Sequence, residues 1–435
     1  MRRAVRLAKY LVLTLVAAVC GAAIRFGRRL LRRPPRVWHG MFPMVITRYI
    51  AAAERKAGYP VRSVAAHSTP FATYALVRPE DFDVVVRDEG VGSFDVHWFC
   101  LIDLLWRADI WVAYFDSLLF RHDQERANDL AFRLMRAAGI RIIAAAHGGD
   151  VVHKTAVLTR YDWVGRMGLD YPSWDLAAQR DIAERRIRLF CRHAAMVLPG
   201  DSSLVRFLPR NDLTFKYFPL DTEEIRPAPP GAEPREVPVI VHAPNHRHAK
   251  GTDLLLAACD ALRARGFAFE LRLVERVDRQ EALRRYLDAD IIADQFCMGS
   301  FGTFGLEGMA SGKPVLAYLD QEELGDPAFN LPFVNANAEN LERVLAVLLT
   351  IPALRDRLGR AGREAVERYQ SIDPLAEVWD RILKHVWWQT PLNLATTRYF
   401  APGRPSRSFT EDPADPNFWP VDVTDLLPEI QNALR

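Results

Sequence analysis

From Val37 onward, short apolar runs alternate with longer stretches in which apolar residues recur every three or four positions. Short runs bounded by turn residues read as buried strands, and the periodic stretches as helices laid against them. The pattern predicts strands over 37–39, 61–65, 83–86, 110–115, 141–146 and 195–198, with helices over 44–57, 124–138 and 176–193. Gly58 and Gly139 follow two of these helices, where a left-handed C-terminal residue is needed. Five prolines between Pro227 and Pro238 disfavour helix and central strand, so a linker is expected over 226–238. The alternation then restarts, with strands over 239–243, 269–274, 289–293 and 314–318. Helices are expected over 252–265, 279–287, 306–310, 338–349, 352–369 and 373–386.

This is the pattern of an α/β chain with two doubly wound, Rossmann-like domains, over 37–225 and 239–386. Two such halves facing a cleft would bind ligand at the carboxyl ends of strands from both. The tail, 387–435, is rich in proline and aromatic residues and is expected to pack on the body as irregular chain. A length of 435 residues suits two domains, and 10% aromatic content excludes a disordered chain. The five cysteines, at 20, 100, 191, 259 and 297, have neither zinc-knuckle nor redox CxxC spacing, which points to a reducing compartment.

Charge changes the picture at one end. Residues 1–36 carry ten Lys and Arg and no acid, so the net charge of +3 becomes −7 once they are set aside. A basic extension on a mildly acidic body argues against a nucleic-acid-binding core. Between Lys9 and Arg25 the chain is uncharged, and as a helix that stretch would be about 22 Å long. A secretory signal would need a small-residue cleavage site, where this chain continues into arginines. A spanning helix would need those arginines to snorkel, and an in-plane anchor would set them against anionic headgroups. Attachment to the cytoplasmic face of the cell membrane through residues 1–36 is expected, with its topology open.

Three constellations could carry chemistry. The first is His242-Ala-Pro-Asn-His-Arg-His-Ala-Lys-Gly-Thr252, a strand end running into a helix. Arg247, Lys250 and the N–H groups around Gly251 and Thr252 would suit a diphosphate. His242, His246 and His248 raise zinc, but no nearby carboxylate or thiolate completes a tetrahedron, and no metal is expected. The second runs from Gly299 to Pro314, a glycine-rich loop with Gly302, Thr303 and Phe304, opening a helix that carries Glu307. A carboxylate there could accept two ribose hydroxyls, against the plainer reading of an exposed helix charge. The third is His147-Gly148-Gly149-Asp150, directly after an apolar strand, with Asp116 after the preceding one. An imidazole beside carboxylates on a strand-end loop suits a catalytic face, although a turn with a capping aspartate has the same sequence. Trp98, Trp106, Trp111 and Phe115 could stack on a sugar or touch lipid, against the commoner place of aromatics in the core.

In order and spacing these pieces resemble the retaining glycosyltransferases of family 4, which have the GT-B fold. The likeness rests on Arg247-x-x-Lys250-Gly-Thr, Ala289-Asp-Ile-Ile-Ala-Asp-Gln295 and Phe304-Gly-Leu-Glu-Gly-Met-Ala-Ser-Gly-Lys-Pro-Val315. His147-Gly-Gly-Asp150 and Leu198-Pro-Gly-Asp-Ser-Ser-Leu204 add to it. The resemblance implies transfer of a sugar from a nucleoside diphosphate to an acceptor hydroxyl, with retention and without a metal or other cofactor. Arg247 and Lys250 would hold the diphosphate, with Gly251, Thr252, Gly302, Thr303 and Phe304 around the donor and Glu307 on its ribose. His147 would sit near the transferred sugar, with Gly148, Gly149, Asp150 and Asp116 contacting sugar or acceptor. Two departures stand out: Gly299 occupies the place of the family's first glutamate, and Asn245 the place of its usual arginine. A lipid-linked or envelope saccharide is the acceptor that the basic extension suggests. Replacing Lys250 or Glu307 by alanine is expected to abolish transfer and leave the fold intact. A non-catalytic scaffold with the same fold, or a nucleotide-sugar epimerase, would share these motifs.

Overall fold

The computed structural model describes residues 2–42, 44–67, 78–87, 94–120, 122–152, 163–170, 176–227, 235–320, 331–400 and 410–435. The helix α1 (Arg2–Leu30) leads into β1 (Val37–Met41), α2 (Val45–Lys56), β2 (Val61–His67), β3 (Val84–Arg87) and α3 (Phe94–Arg107). Then come β4 (Ile110–Tyr114), α4 (Glu125–Ala137), β5 (Arg141–Ala145), α5 (Trp163–Asp170), α6 (Leu176–His193), β6 (Met196–Leu198) and α7 (Ser202–Val205). After the proline-rich stretch follow β7 (Val239–His242), the turn α8 (Arg247–Lys250), α9 (Thr252–Ala264), β8 (Glu270–Leu273), α10 (Arg279–Leu287) and β9 (Ile291–Gln295). The remainder is α11 (Thr303–Ala310), β10 (Val315–Ala317), β11 (Val334–Asn335), α12 (Leu341–Thr350), α13 (Pro352–Ala365), α14 (Ile372–Trp388) and α15 (Leu427–Ala433).

Two compact units result. The first comprises Met1–His153, Asp175–Pro219 and Leu375–Thr397, and the second Lys154–Trp174, Leu220–Pro374 and Arg398–Arg435. The expected division at 226–238 is therefore too simple: Lys154–Trp174 belongs to the second unit, and Leu375–Thr397 to the first. Of the expected linker, residues 228–234 lie outside the described residues. No sequence signal marks these exchanges, because each is set by which core a helix face finds.

The first unit holds a six-stranded parallel sheet in the order β3-β2-β1-β4-β5-β6, and the second a five-stranded parallel sheet in the order β11-β10-β9-β7-β8. Strands β1, β4 and β9 are buried at every position. That explains why their sequences read as continuous apolar runs: helices cover both faces of a parallel sheet. In such sheets ligands gather where the strand order reverses, between β1 and β4 in one unit and between β7 and β9 in the other. Gly58 and Gly139 adopt φ of 88° and 87°, as their helix-terminal positions require.

Two expectations change. The tail is not irregular throughout: Phe418, Trp419, Val423, Leu426 and Ile430 pack into the same core as α12, and α15 supplies the last of them. Arg357 ties it further through Asp425 at 2.8 Å. The N-terminal segment is one helix that runs through its arginines, and Val5–Leu30 is long and apolar enough to cross a membrane. Yet one face of α1 packs on α3: Thr14, Ala17, Ala18 and Arg25 are buried, and a side chain at Gly21 would collide with the Leu105 carbonyl. Arg25 reaches the Leu105 and Ala108 carbonyls at the end of α3, at 2.9 and 2.7 Å, and the Ala138 carbonyl after α4 at 2.6 Å. A cation on two helix C-termini satisfies carbonyls that lack intrahelical partners. Arg28 and Arg36 close the arrangement on the fully buried Asp109, at 3.0 and 2.8 Å.

Candidate functional site

In the second unit, the chain leaves β7 at His242, makes the turn α8 and enters α9 through Gly251. Gly251 has φ 73°, and a Cβ there would lie 2.9 Å from Cys297 Sγ, so only glycine fits. His242 is buried between strands. Its Nδ1 donates to the Ala293 carbonyl at 2.7 Å, and its Nε2 accepts from the Thr252 hydroxyl at 2.8 Å. Burial lowers its pKa to about 4, so it stays neutral. It clips β7, β9 and α9 together and has no nitrogen left for a metal. His248 Nδ1 meets Asp170 at 3.0 Å. The three histidines do not assemble.

Lys250 and Gly302 do come together. Lys250 Nζ lies 2.9 Å from Asp294 Oδ1, and Asp294 Oδ2 accepts the Gly302 N–H at 3.2 Å. Gly302 caps α11, which begins at Thr303, three residues earlier than the pattern suggested. The glycines explain the close approach: a Cβ at Gly305 would lie 2.8 Å from Asp294 Oδ2. The neighbouring Gln295 shapes the loop. Its Oε1 accepts from the Cys297 and Met298 N–H groups at 3.1 and 2.6 Å, and its Nε2 donates to the Tyr318 carbonyl at 2.6 Å and to that of Ser300. The Asp-Gln pair thus does two jobs: the acid holds the lysine and the helix start, and the amide folds the loop. A buried ammonium at the N-terminus of an eight-residue helix, at the switch between β7 and β9, is suited to a phosphate.

Glu307 is not an exposed helix charge. It is buried on α11 with Oε1 3.0 Å from Arg279 Nη2, and burial pushes its carboxyl up to about 7 despite that partner. Thr252 lies on His242 and Phe304 packs on Tyr286, ring centres 4.7 Å apart. Thr303 is the first residue of α11. Arg247 departs from expectation: it is half exposed and forms a two-pronged pair with Glu275, Nε to Oε1 at 2.7 Å. Such surface pairs are worth about 0–1 kcal/mol, so an arriving phosphate could recruit the arginine. The His248 and Ala249 N–H groups in the expected diphosphate loop are occupied by Asp170, each at 3.0 Å. Arg166 of the same helix donates to the His248 carbonyl at 2.7 Å. Sequence reasoning missed Asp170, Glu275 and Arg279, which lie far from the motif along the chain. Asp294, an acid ending an apolar strand, was the one legible signal.

In the first unit, His147, Asp116 and Asp150 meet at the carboxyl ends of β4 and β5. His147 Nε2 lies 3.0 Å from Asp116 Oδ2 and 3.8 Å from Asp150 Oδ2. Its ring stacks on Phe42, after β1, at 5.7 Å and meets Tyr114 edge-on at 5.4 Å. Burial lowers the imidazole's pKa, but Asp150 and Asp116 together outweigh it and raise the value to about 9. Asp150 does not reach outward. Its carboxylate accepts the His147 and Gly148 N–H groups at 3.0 Å each and that of Phe115 at 3.2 Å. Burial pushes its carboxyl up, but three backbone donors and an imidazolium favour the charged form. It is the capping aspartate of the plainer reading, and the expected contact with sugar or acceptor is corrected accordingly. Gly148, with φ 123°, makes the turn, and open space surrounds the Cβ positions of Gly148 and Gly149. Asp116 keeps one oxygen, Oδ1, without a partner among the described residues. Among the described residues these three groups alone could gather round a cation. Trp111 and Phe115 are fully buried core residues, whereas Trp106 is 40% exposed.

A raised histidine pKa has a defined sign. Below pH 6.5 the folded and unfolded chains both hold the proton and the full contribution is present. As pH rises towards 9 the unfolded chain loses its proton first, so stability falls. Urea unfolding of the native chain and His147→Gln is expected to show the gap between them shrinking from pH 6.5 to 9, by up to about 3 kcal/mol. A gap independent of pH would mean that His147 is neutral.

No protein-family model matches the chain, and no curated protein matches it. Solved structures do. Sucrose-phosphate synthase from Thermosynechococcus elongatus aligns at TM-score 0.52 and 15% identity, over 82% of this chain and 100% of that one. HepE of Anabaena in complex with UDP and glucose aligns at 0.52 and 12%, over 80% and 99%. The catalytic domain of starch synthase IV from Arabidopsis thaliana, bound to ADP and acarbose, aligns at 0.53 and 11%, over 81% and 99%. At these identities the likeness establishes the fold, which is GT-B, and fold alone does not fix function.

Proposed function

We propose that the chain is a glycosyltransferase that uses a nucleoside-diphosphate sugar and glycosylates a hydroxyl of a lipid-linked or envelope saccharide, with retention. The observation that carries the reading is the buried Lys250 ammonium, held by Asp294 beside the capped start of α11. There it would meet the donor's phosphates, with Arg247 drawn in from Glu275 and Glu307 on the ribose. Complexes of the structural neighbour HepE with UDP, and of starch synthase IV with ADP, accord with a nucleotide donor. In the reaction the bond from the anomeric carbon to the β-phosphate oxygen breaks and a bond to the acceptor oxygen forms on the same face. The acceptor's proton passes to the departing phosphate, whose charge Lys250 offsets. The imidazolium of His147 is a hydrogen-bond donor rather than a base, a role suited to holding the transferred sugar or the acceptor. The reading needs no metal or other cofactor, because basic side chains and a helix N-terminus supply the positive charge. Attachment to the inner face of the cell membrane through residues 1–36 would bring the chain to a lipid-linked acceptor and to cytosolic donors.

Thermal unfolding of the full chain with UDP, GDP, ADP and CMP in turn tests the donor site. A nucleotide at a hundred times its dissociation constant adds about 2.7 kcal/mol to the folded state. One nucleotide is expected to raise the transition clearly above the others and so name the donor class. No shift with any of them would replace this reading with that of a non-catalytic scaffold.

A further inference from the structure

Between α1, α3 and α4 lies a hollow of about 390 Å³, inside the roughly 300–1,000 Å³ range of small-ligand sites. Its walls include Leu11 of α1, Trp98 and Leu101 of α3, Phe120, and Leu130 and Leu134 of α4. The lining is mostly apolar, with Thr14, His97 and Gln124 as its polar side chains, so it favours hydrocarbon over a sugar or a phosphate. Two of its wall residues, Leu11 and Leu130, are 52% and 67% exposed and mark an open mouth. Beside the mouth Trp98 stacks on Tyr10 at 5.9 Å, and the Tyr10 hydroxyl donates to Asp95 at 2.6 Å. An aromatic pair with one polar end suits the boundary between hydrocarbon and water.

The outer face of α1 continues this apolar surface through Val12, Leu15, Val16, Val19 and Phe26, all exposed. Basic residues flank it at both ends, at Arg6 and Lys9 and at Arg32 and Arg33, as anionic headgroups would demand. Meanwhile Arg25 is pinned in the body by three carbonyls. A helix fixed to the protein along one face presents only the other to lipid, which is the geometry of an in-plane anchor rather than a span. We infer that the hollow holds one hydrocarbon chain of a membrane lipid, entering between Leu11 and Leu130 while α1 lies along the leaflet. The inference rests on the membrane attachment proposed above.

The test uses the full chain on phosphatidylcholine–phosphatidylglycerol vesicles doped with a lipid that carries a diazirine in one acyl chain. After flotation and irradiation, peptides of α3 and α4 are expected to be labelled together with α1. Ala127→Trp, which fills the hollow, is expected to float unchanged while labelling of α3 and α4 falls to background. Should circular dichroism show that variant unfolded, Leu130→Glu at the exposed mouth serves in its place, with the same expected loss. Flotation with label confined to α1 overturns the hollow as a lipid site. Failure to float overturns the membrane reading instead, and photoreactive palmitate without vesicles then decides the hollow. Labelling of α3 and α4 by that palmitate sustains a hydrocarbon site, and its absence removes it.

Discussion

Lys250→Ala is expected to cost about 3–5 kcal/mol of stability, because it leaves the fully buried Asp294 carboxylate without its cation. This revises the simpler expectation that alanine here would silence the protein and leave the fold untouched. The Lys250–Asp294 pair is 2.9 Å long, with side chains 11% and 0% exposed. At such burial the penalty for stranding one charge exceeds the net worth of the pair. The double variant Lys250→Met with Asp294→Asn removes both charges and is expected to recover most of the loss in urea unfolding. Neither variant is expected to gain stability from the nucleotide that stabilises the native chain. The two readouts separate the roles: recovered stability without recovered binding assigns the ammonium to the phosphate. A double variant that still responds to the nucleotide would remove Lys250 from the donor site.

The second large effect concerns α1. Arg25→Ala deprives three carbonyls at the ends of α3 and α4 of a charged donor. Hydrogen bonds to charged groups are worth about 1.5–3 kcal/mol each, and water can recover part of that, so a net loss of about 3 kcal/mol is expected. The loss should fall on the docking of α1 rather than on the sheet, since the sheet core does not use Arg25. Limited trypsin digestion is therefore expected to cut at Arg28 and Arg29 about a hundredfold faster, leaving the rest of the first unit resistant. Arg25→Lys should rescue little, because a single ammonium cannot reproduce the guanidinium fork. An unchanged cleavage rate would show that Arg25 does not hold α1 in place.

Much of the fold was legible because a parallel sheet buries its strands on both faces, and continuous apolar runs report that directly. Strands β1, β4, β7 and β9 lie within two residues of where the pattern puts them. The helix α3 was missed: Phe94–Arg107 is rich in apolar residues on several faces, since α1 covers a surface that would otherwise meet water, and its period is blurred. Strand β11, two residues long, is too short to carry a pattern. The tail was misjudged because proline and aromatic residues fit an irregular chain and a docked short helix equally well.

Local sequence was enough to specify the class of fold, the two sheets and the short stretches from which a donor site would be built. Those properties follow from local periodicity, glycine conformational demands and the chemistry of neighbouring residues. Which charges those stretches keep emerges only when the chain is folded. Lys250 sits against Asp294, Glu307 against Arg279, Arg247 against Glu275 and the His248 N–H against Asp170, partners 28 to 78 residues away along the chain. Coulombic partnership depends on distance in space and on the water excluded around the pair, and neither is written in the spacing of residues along the chain. For the same reason the sequence presented α1 as an apolar helix with arginines. The carbonyls waiting at the ends of α3 and α4 turned one of those arginines inward and left the opposite, apolar face exposed.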